Sequence, residues 1–224
     1  MCFSAQASFT ASVALLAISA LCFKKTRSHA QQLLAGCPFF FGVQQALEGV
    51  VWLTVDTPTL WPMLHAIGIY GFLFFAYMFW PVYVPLTMYT LEKNSARKNI
   101  IRLLLLVGSG ISLAGFIALT VFGFNANATH HHIVYEYIPN TAFPVESSHN
   151  LIQNILLALY VMVVSGSLLL SSTPYMKVMG MLVTVAFIVA QIAYAVAFGS
   201  VWCFFAALIS VVIYLSLRAL ERQQ

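Results

Sequence analysis

Glu92-Lys93-Asn94-Ser95-Ala96-Arg97-Lys98-Asn99-Ile100-Ile101-Arg102-Leu103-Leu104-Leu105-Leu106-Val107 is a basic turn that runs straight into an apolar span. Crossing the hydrocarbon of a bilayer takes about 20 apolar residues, and the stretch 99–123 supplies them. The pattern recurs along the chain. Lys24, Lys25 and Arg27 separate two apolar stretches, Lys177 opens another, and Arg218 and Arg222 close the last. Spans are expected near 5–23, 32–53, 64–90, 99–123, 149–171, 176–197 and 201–219. Counting crossings through them puts all 10 Lys and Arg residues on one face. Short cytoplasmic loops keep Lys and Arg because basic segments resist translocation. The expectation is a multi-pass protein of the cell inner membrane, with its N-terminus outside and its C-terminus in the cytoplasm.

Composition agrees. Hydrophobic residues make up 61% and charged residues 7%, where a soluble domain carries roughly a quarter charged. The seven spans leave almost nothing of the 224 residues for a soluble domain, so residues 1–224 are expected to form one all-α, seven-transmembrane-helix bundle. The net charge of +4 is the sum of the basic loops. It points to the lipid bilayer as partner rather than to nucleic acid.

The polar N-terminal signals read as structure. Cations follow the first apolar stretch instead of preceding it, the reverse of a cleavable signal. Leu34-Ala35-Gly36-Cys37 has the look of a lipoprotein box, but a polar run separates it from the first span, so it is read as the start of the second helix. Ser4, Ser8 and Ser12 form a small stripe suited to close helix contact. Cys22 and Cys37 fall at cytoplasmic helix ends, where thiols stay reduced. Cys2 and Cys203 fall at the outer ends of the first and seventh helices, close enough in a closed bundle to meet as a metal site or a disulfide.

The long loop from Asn125 to Ser148 is expected to hold a small outer β-hairpin between helices 4 and 5. Its first strand is read at 130–138, with a turn at Pro139-Asn140 and a return at 141–145. Pro81 and Pro85 are expected to kink the third helix.

Chemistry is expected around Glu48, the only acid inside an apolar span. A charge there costs several kcal/mol unless it is paired, hydrated or neutralised. Gln44 lies four residues earlier and Gln45 three earlier, so both are expected to border the same helix face as Glu48. His65, His149, Gln191, Tyr194, Trp202, Cys203 and Cys2 are all expected near the outer ends of their helices. Thiolate, imidazole and carboxylate are ligands of copper, zinc or iron, so Cys2, Glu48, His65, His149 and Cys203 are the candidate metal set. Cys2 and Glu48 are the candidate catalytic pair. Gln44, Gln45, Trp52, Gln191, Tyr194 and Trp202 are candidate contacts for a small-molecule substrate. The alternative is structural: a protonated Glu48 donating one hydrogen bond, with the glutamines tying helices together. No lysine occurs from Val201 to Leu217, which removes a retinal Schiff base from the seventh helix. A proton-relay chain of intramembrane acids and the His-x-x-x-His pattern of seven-helix zinc hydrolases are also missing. Self-association stays open.

Met1-Cys2-Phe3-Ser4-Ala5, Ala7-Ser8-Phe9, Phe41-Gly42-Val43-Gln44-Gln45, Glu48-Gly49, Trp52, Trp80-Pro81 and Trp202-Cys203-Phe204 together resemble a bacterial family of integral membrane proteins of unknown function. The resemblance covers most of the chain. It implies no activity, and it singles out Cys2, Gln44, Gln45, Glu48, Trp52, Trp80 and Cys203. Two functional readings follow. One is an outward-facing metal or redox centre on Cys2 and Glu48. The other is a transporter or receptor pocket on Gln44, Gln45 and Glu48.

Overall fold

The computed structural model describes residues 4–129, 132–138, 148–193 and 198–222. Helix α1 (Ala5–Phe23) starts at Ser4, whose hydroxyl accepts from the Ala7 N–H at 3.2 Å. Ser28 caps α2 (His29–Thr54) in the same way at Gln31. Such caps satisfy N–H groups that the first helical turn leaves unpaired. One helical run then extends from Pro62 to Leu91 as α3 (Pro62–Leu73), a π-helical turn (Phe74–Phe79) and α4 (Trp80–Leu91). After it come α5 (Ser95–Val121), β1 (Gly123–Thr129), β2 (His132–Ile138), α6 (Ser148–Leu170), α7 (Met176–Ala193), α8 (Phe198–Ile209) and α9 (Val212–Arg222).

Among the described residues, four helical stretches are long and apolar enough to cross a membrane: Ala5–Phe23, Pro62–Leu91, Ser95–Val121 and Met176–Ala193. Their outer faces are greasy. Leu103, Leu113, Met181 and Ile192 are each more than half exposed, a surface that water does not tolerate over this extent. Helix α2 turns its polar residues inward instead, and Gln31, Gln44, Gln45 and Glu48 are all buried. Consecutive helices pack as neighbours, and α9 returns to touch α1, α2 and α7.

The basic turns share one end of the bundle. Lys25 Nζ lies 3.1 Å from a Glu221 carboxylate oxygen, joining the α1–α2 turn to α9. Tyr83, in the first turn of α4, donates to the Leu33 carbonyl of α2 at 2.7 Å. At that same end Glu92 accepts from the Ser172 N–H at 2.7 Å and the Ser172 hydroxyl at 2.9 Å, while Arg97 Nη1 donates to that hydroxyl at 2.8 Å. The turn before α5 is thereby latched to the turn before α7.

Burial pulls the Glu92 carboxyl upward. Hydrogen bonds from the N–H groups of Asn94 and Ser172 and from the Ser172 hydroxyl outweigh that, leaving it below the usual glutamate value of 4.5. A depressed carboxyl stabilises the fold above its unfolded value and loses that contribution as pH falls through its folded value. Acid melts of the protein in detergent should therefore show a loss of stability below pH 4.5 that is reduced in Glu92→Gln. The substitution itself should cost about 1–3 kcal/mol at neutral pH.

Three local expectations change. The seventh helix, read at 201–219, is broken between α8 and α9. Ser210 donates from its hydroxyl to the Ala207 carbonyl at 2.6 Å, and the N–H groups of Ser210, Ile213 and Tyr214 bond three residues back. That tighter pattern ends an α-helix. The hairpin pairs β2 with β1 on its N-terminal side, from Gly123↔Ile138 to Thr129↔His132. Its first strand was expected as helix end and loop, and the alternation in Phe124-Asn125-Ala126-Asn127-Ala128 is what permits it. The expected return at 141–145 lies outside the described residues.

The prolines also act differently from a bare kink. Pro81 and Pro85 lack the N–H that a regular helix presents to the carbonyls of Tyr77 and Pro81, and a π-helical turn precedes them. Those two carbonyls face glycines seven apart on α5. A Cβ on Gly115 would sit 2.9 Å from the Tyr77 oxygen, and one on Gly108 would overlap the Pro81 oxygen. Close helix approach of this kind needs residues without side chains.

Candidate functional site

The site is organised by two adjacent residues of α2. Gly42 and Gly49 press against α1, where added Cβ atoms would meet Leu16 at 3.0 Å and the Phe9 ring at 2.8 Å. Gln45 lies between those glycines at helical spacing and so shares the α1 side. Gln44 is one residue earlier, about 100° round the helix, and it faces α4 and α8. Both glutamines and Glu48 are fully buried.

On the Gln44 side, Trp80 Nε1–H donates to Gln44 Oε1 at 2.8 Å, and Gln44 Nε2 donates to Cys203 Sγ at 3.4 Å. Phe41 stacks on Trp80 with centroids 3.8 Å apart and planes at 20°, which holds the indole edge toward the amide. Cys203 is a buried free thiol. The chain Trp80–Gln44–Cys203 thus ties α4, α2 and α8 together. One turn along α2 from Gln44, Gln45 Nε2 donates to Glu48 Oε2 at 3.3 Å, and the Ser200 hydroxyl, on the same helix α8 as Cys203, donates to Glu48 Oε1.

Below the Gln44 chain lies a cavity of about 40 Å³. Trp80, Trp202 and Cys203 line it at the polar centre, and Cys37, Met88 and Met179 line it toward the basic end. Trp202 donates Nε1–H to the Val183 carbonyl at 3.4 Å and meets Tyr160 edge-on at 5.3 Å. The lining is otherwise aliphatic and aromatic. A space of this size exceeds what one water needs, and its walls favour an apolar occupant.

The other expected residues separate. His65 begins α3 and is buried, and its Nδ1 lies 2.9 Å from Thr54 Oγ1. Its Nε2 has no partner among the described residues. Trp52 is half-buried near the C-terminal end of α2, with its indole N–H unpaired among the described residues. Gln191 is exposed on α7, so it does not join the centre as expected; the turn of α7 carries it to the outer surface. Cys2 and Tyr194 lie outside the described residues, and so does the side chain of His149. Among the described residues, no group of three His, Cys, Asp or Glu is placed to hold a metal ion. Sequence reasoning missed Ser200, read as part of a tight turn, and the partner role of Thr54. It also treated Glu92 only as a member of a basic loop. The short hydroxyl next to Gly199 carried no periodic signal, and only its contact with Glu48 reveals it.

No curated protein and no solved structure matches the chain. A sequence model does match it along its whole length, residues 1–224, and the chain belongs to that family of unknown function, DUF6629.

Proposed function

We propose that this protein is a multi-pass membrane receptor or transporter that takes a small, largely apolar molecule at the polar centre of α2. The molecule would occupy the cavity, with Trp80, Trp202 and the aliphatic walls giving contact area and the Gln44 amide fixing the positions of Trp80 and Cys203 in that wall. Apolar pockets with a few convergent polar groups are the usual form of such sites. The observation that carries the reading is the apolar cavity itself, two of whose wall residues, Trp80 and Cys203, are held from behind by the buried Gln44 amide. In this reading the seven expected spans cross the inner membrane, the basic end is cytoplasmic, and the centre belongs to the outer half of the bundle.

A metal or redox centre is the second reading, favoured by Cys203 and Ser200 of one helix reaching Gln44 and Glu48, one turn apart on α2. It needs Cys2 or His149 to complete its ligands.

One preparation tests both. Protein purified gently from membranes is analysed for retained small molecules by mass spectrometry and for metals by elemental analysis. A retained molecule present in the wild type and lost in Gln44→Leu supports the pocket. A stoichiometric metal that disappears in Glu48→Ala supports the centre instead. Equal content in wild type and Gln44→Leu would sink the pocket reading.

A further inference from the structure

Lys25 and Glu221 lie 196 residues apart in the chain, and their contact sets the end of α9 beside the α1–α2 turn. Arg27 Nη2 also reaches Glu221, at 4.0 Å. The joined segments carry Lys24, Lys25, Arg27, Arg218 and Arg222 against that single carboxylate. Glu92, an acid of the neighbouring basic turn, is committed to Ser172. Lys24, Arg218 and Arg222 are exposed and make no ion pair among the described residues. The dipole of α9 favours a cation in its last turn, which accounts for Arg222 alone. Arg218 stands one turn before it on the same face, and like charges at that spacing repel. Apolar surface adjoins these cations. Opposite the buried Ile213, Ser216 and Leu217, the outer face of α9 runs from Leu215, 46% exposed, to Arg218 and Arg222. On α1, Leu21 is 50% exposed one turn before Lys24.

We propose that this patch is a binding site for an anionic phospholipid. Arg218 and Arg222 take the headgroup phosphate, the surplus charge of the α1–α2 turn strengthens the attraction, and an acyl chain runs along the apolar side of α9. Guanidinium groups match phosphate oxygens in bidentate geometry, so two on one helix face can hold a single headgroup. Clusters of about four to eight Lys and Arg at a membrane boundary attract anionic lipid in general; here two distant segments of the chain are folded together to make one. Inorganic phosphate would satisfy the cations but leave Leu215 uncovered. An acidic protein segment would likewise leave that apolar surface unused. An anionic amphiphile matches both the charge and the surface beside it. The site shares no residue with the cavity that lies between α2 and α8.

The full chain in a neutral detergent, titrated with phosphatidylglycerol, should rise in melting temperature and retain the lipid in native mass spectrometry. Phosphatidylcholine should do neither. The double variant Arg218→Gln, Arg222→Gln should weaken phosphatidylglycerol binding by about tenfold or more, since it removes both charge-assisted partners of the phosphate. The double variant Lys93→Gln, Lys98→Gln removes the same charge from another basic turn and should change binding by less than about twofold, because diffuse charge is screened within about 10 Å at ordinary salt. Equal losses in the two double variants would reduce the effect to general attraction and overturn the proposal. A rise in melting temperature with inorganic phosphate alone would also overturn it, as would equal retention of the two lipids. Arg218 and Arg222 are exposed, so their replacement leaves the packing in place, and the lipid-free melting temperature of the variant checks this.

Discussion

Gly108→Ala is expected to leave little folded protein. The new methyl group would overlap the Pro81 carbonyl oxygen and crowd Val163 at 3.1 Å. Backbone cannot swing away as a flexible side chain can, so α4 and α5 must separate. Overpacking alone costs about 1–3 kcal/mol, and here it also breaks the contact that accommodates two prolines. Gly110 provides the control, because a Cβ there meets nothing within 4 Å. Gly110→Ala should be neutral or stabilising by up to about 1 kcal/mol, since alanine favours helix over glycine. Melting in detergent and the monodisperse yield from gel filtration measure both. A Gly108→Ala protein that melts like Gly110→Ala would show that the two helices are not in close contact at Pro81.

Gln44→Leu is expected to cost about 2–3 kcal/mol. It leaves the Trp80 N–H buried without an acceptor, a penalty of about 1–3 kcal/mol, and removes the donor to Cys203. Trp80→Phe removes the N–H and orphans Gln44 Oε1 instead, with some lost volume in addition. If the 2.8 Å bond links them, the double variant should be more stable than the sum of the two losses by about 1 kcal/mol. Additive losses in this cycle, read from thermal melts, would mean that the amide and the indole act independently. The Phe41 ring stacked on Trp80 should keep the indole in place when Gln44 is leucine, so the comparison is of one bond and not of a collapsed site.

The same two helices illustrate how far a linear reading reaches. Glu48, Gln44 and Gln45 stood out because polar residues in an apolar run are locally anomalous, and all three are fully buried at one centre. Their partners were not legible. Ser200 lies 152 residues from Glu48 and Cys203 lies 159 from Gln44, and no spacing rule operates over such separations. Gln191 shows the converse. It looked like an inward polar residue near an outer helix end, yet the facing of α7 exposes it. In a bilayer-sized bundle, depth can be counted in residues, but facing depends on which neighbours each helix acquires.

The hairpin and the α8–α9 break failed for a related reason. β2 was recognised from its β-branched and aromatic residues, whereas β1, Gly123–Thr129, is short on both. Its strand state comes from pairing with β2, a contact and not a propensity. The break at Ser210 depends on a hydroxyl bonding back to Ala207, which serine offers in many helices without ending them.

By itself the sequence determined that the chain is helical and apolar, that its cations fall between spans, and that one carboxyl and two amides lie within an apolar stretch. Each is a property of some 20 consecutive residues and of their transfer from water to hydrocarbon. It took helix packing to show that adjacent glutamines serve different sides of α2 and that Gly108 and Gly115 meet the proline-bearing helical run. Packing likewise leaves Ser8 Oγ and Gln45 Oε1 without a hydrogen-bond partner among the described residues. Those facts depend on the register and rotation of helices against one another, which packing sets and no local stretch encodes.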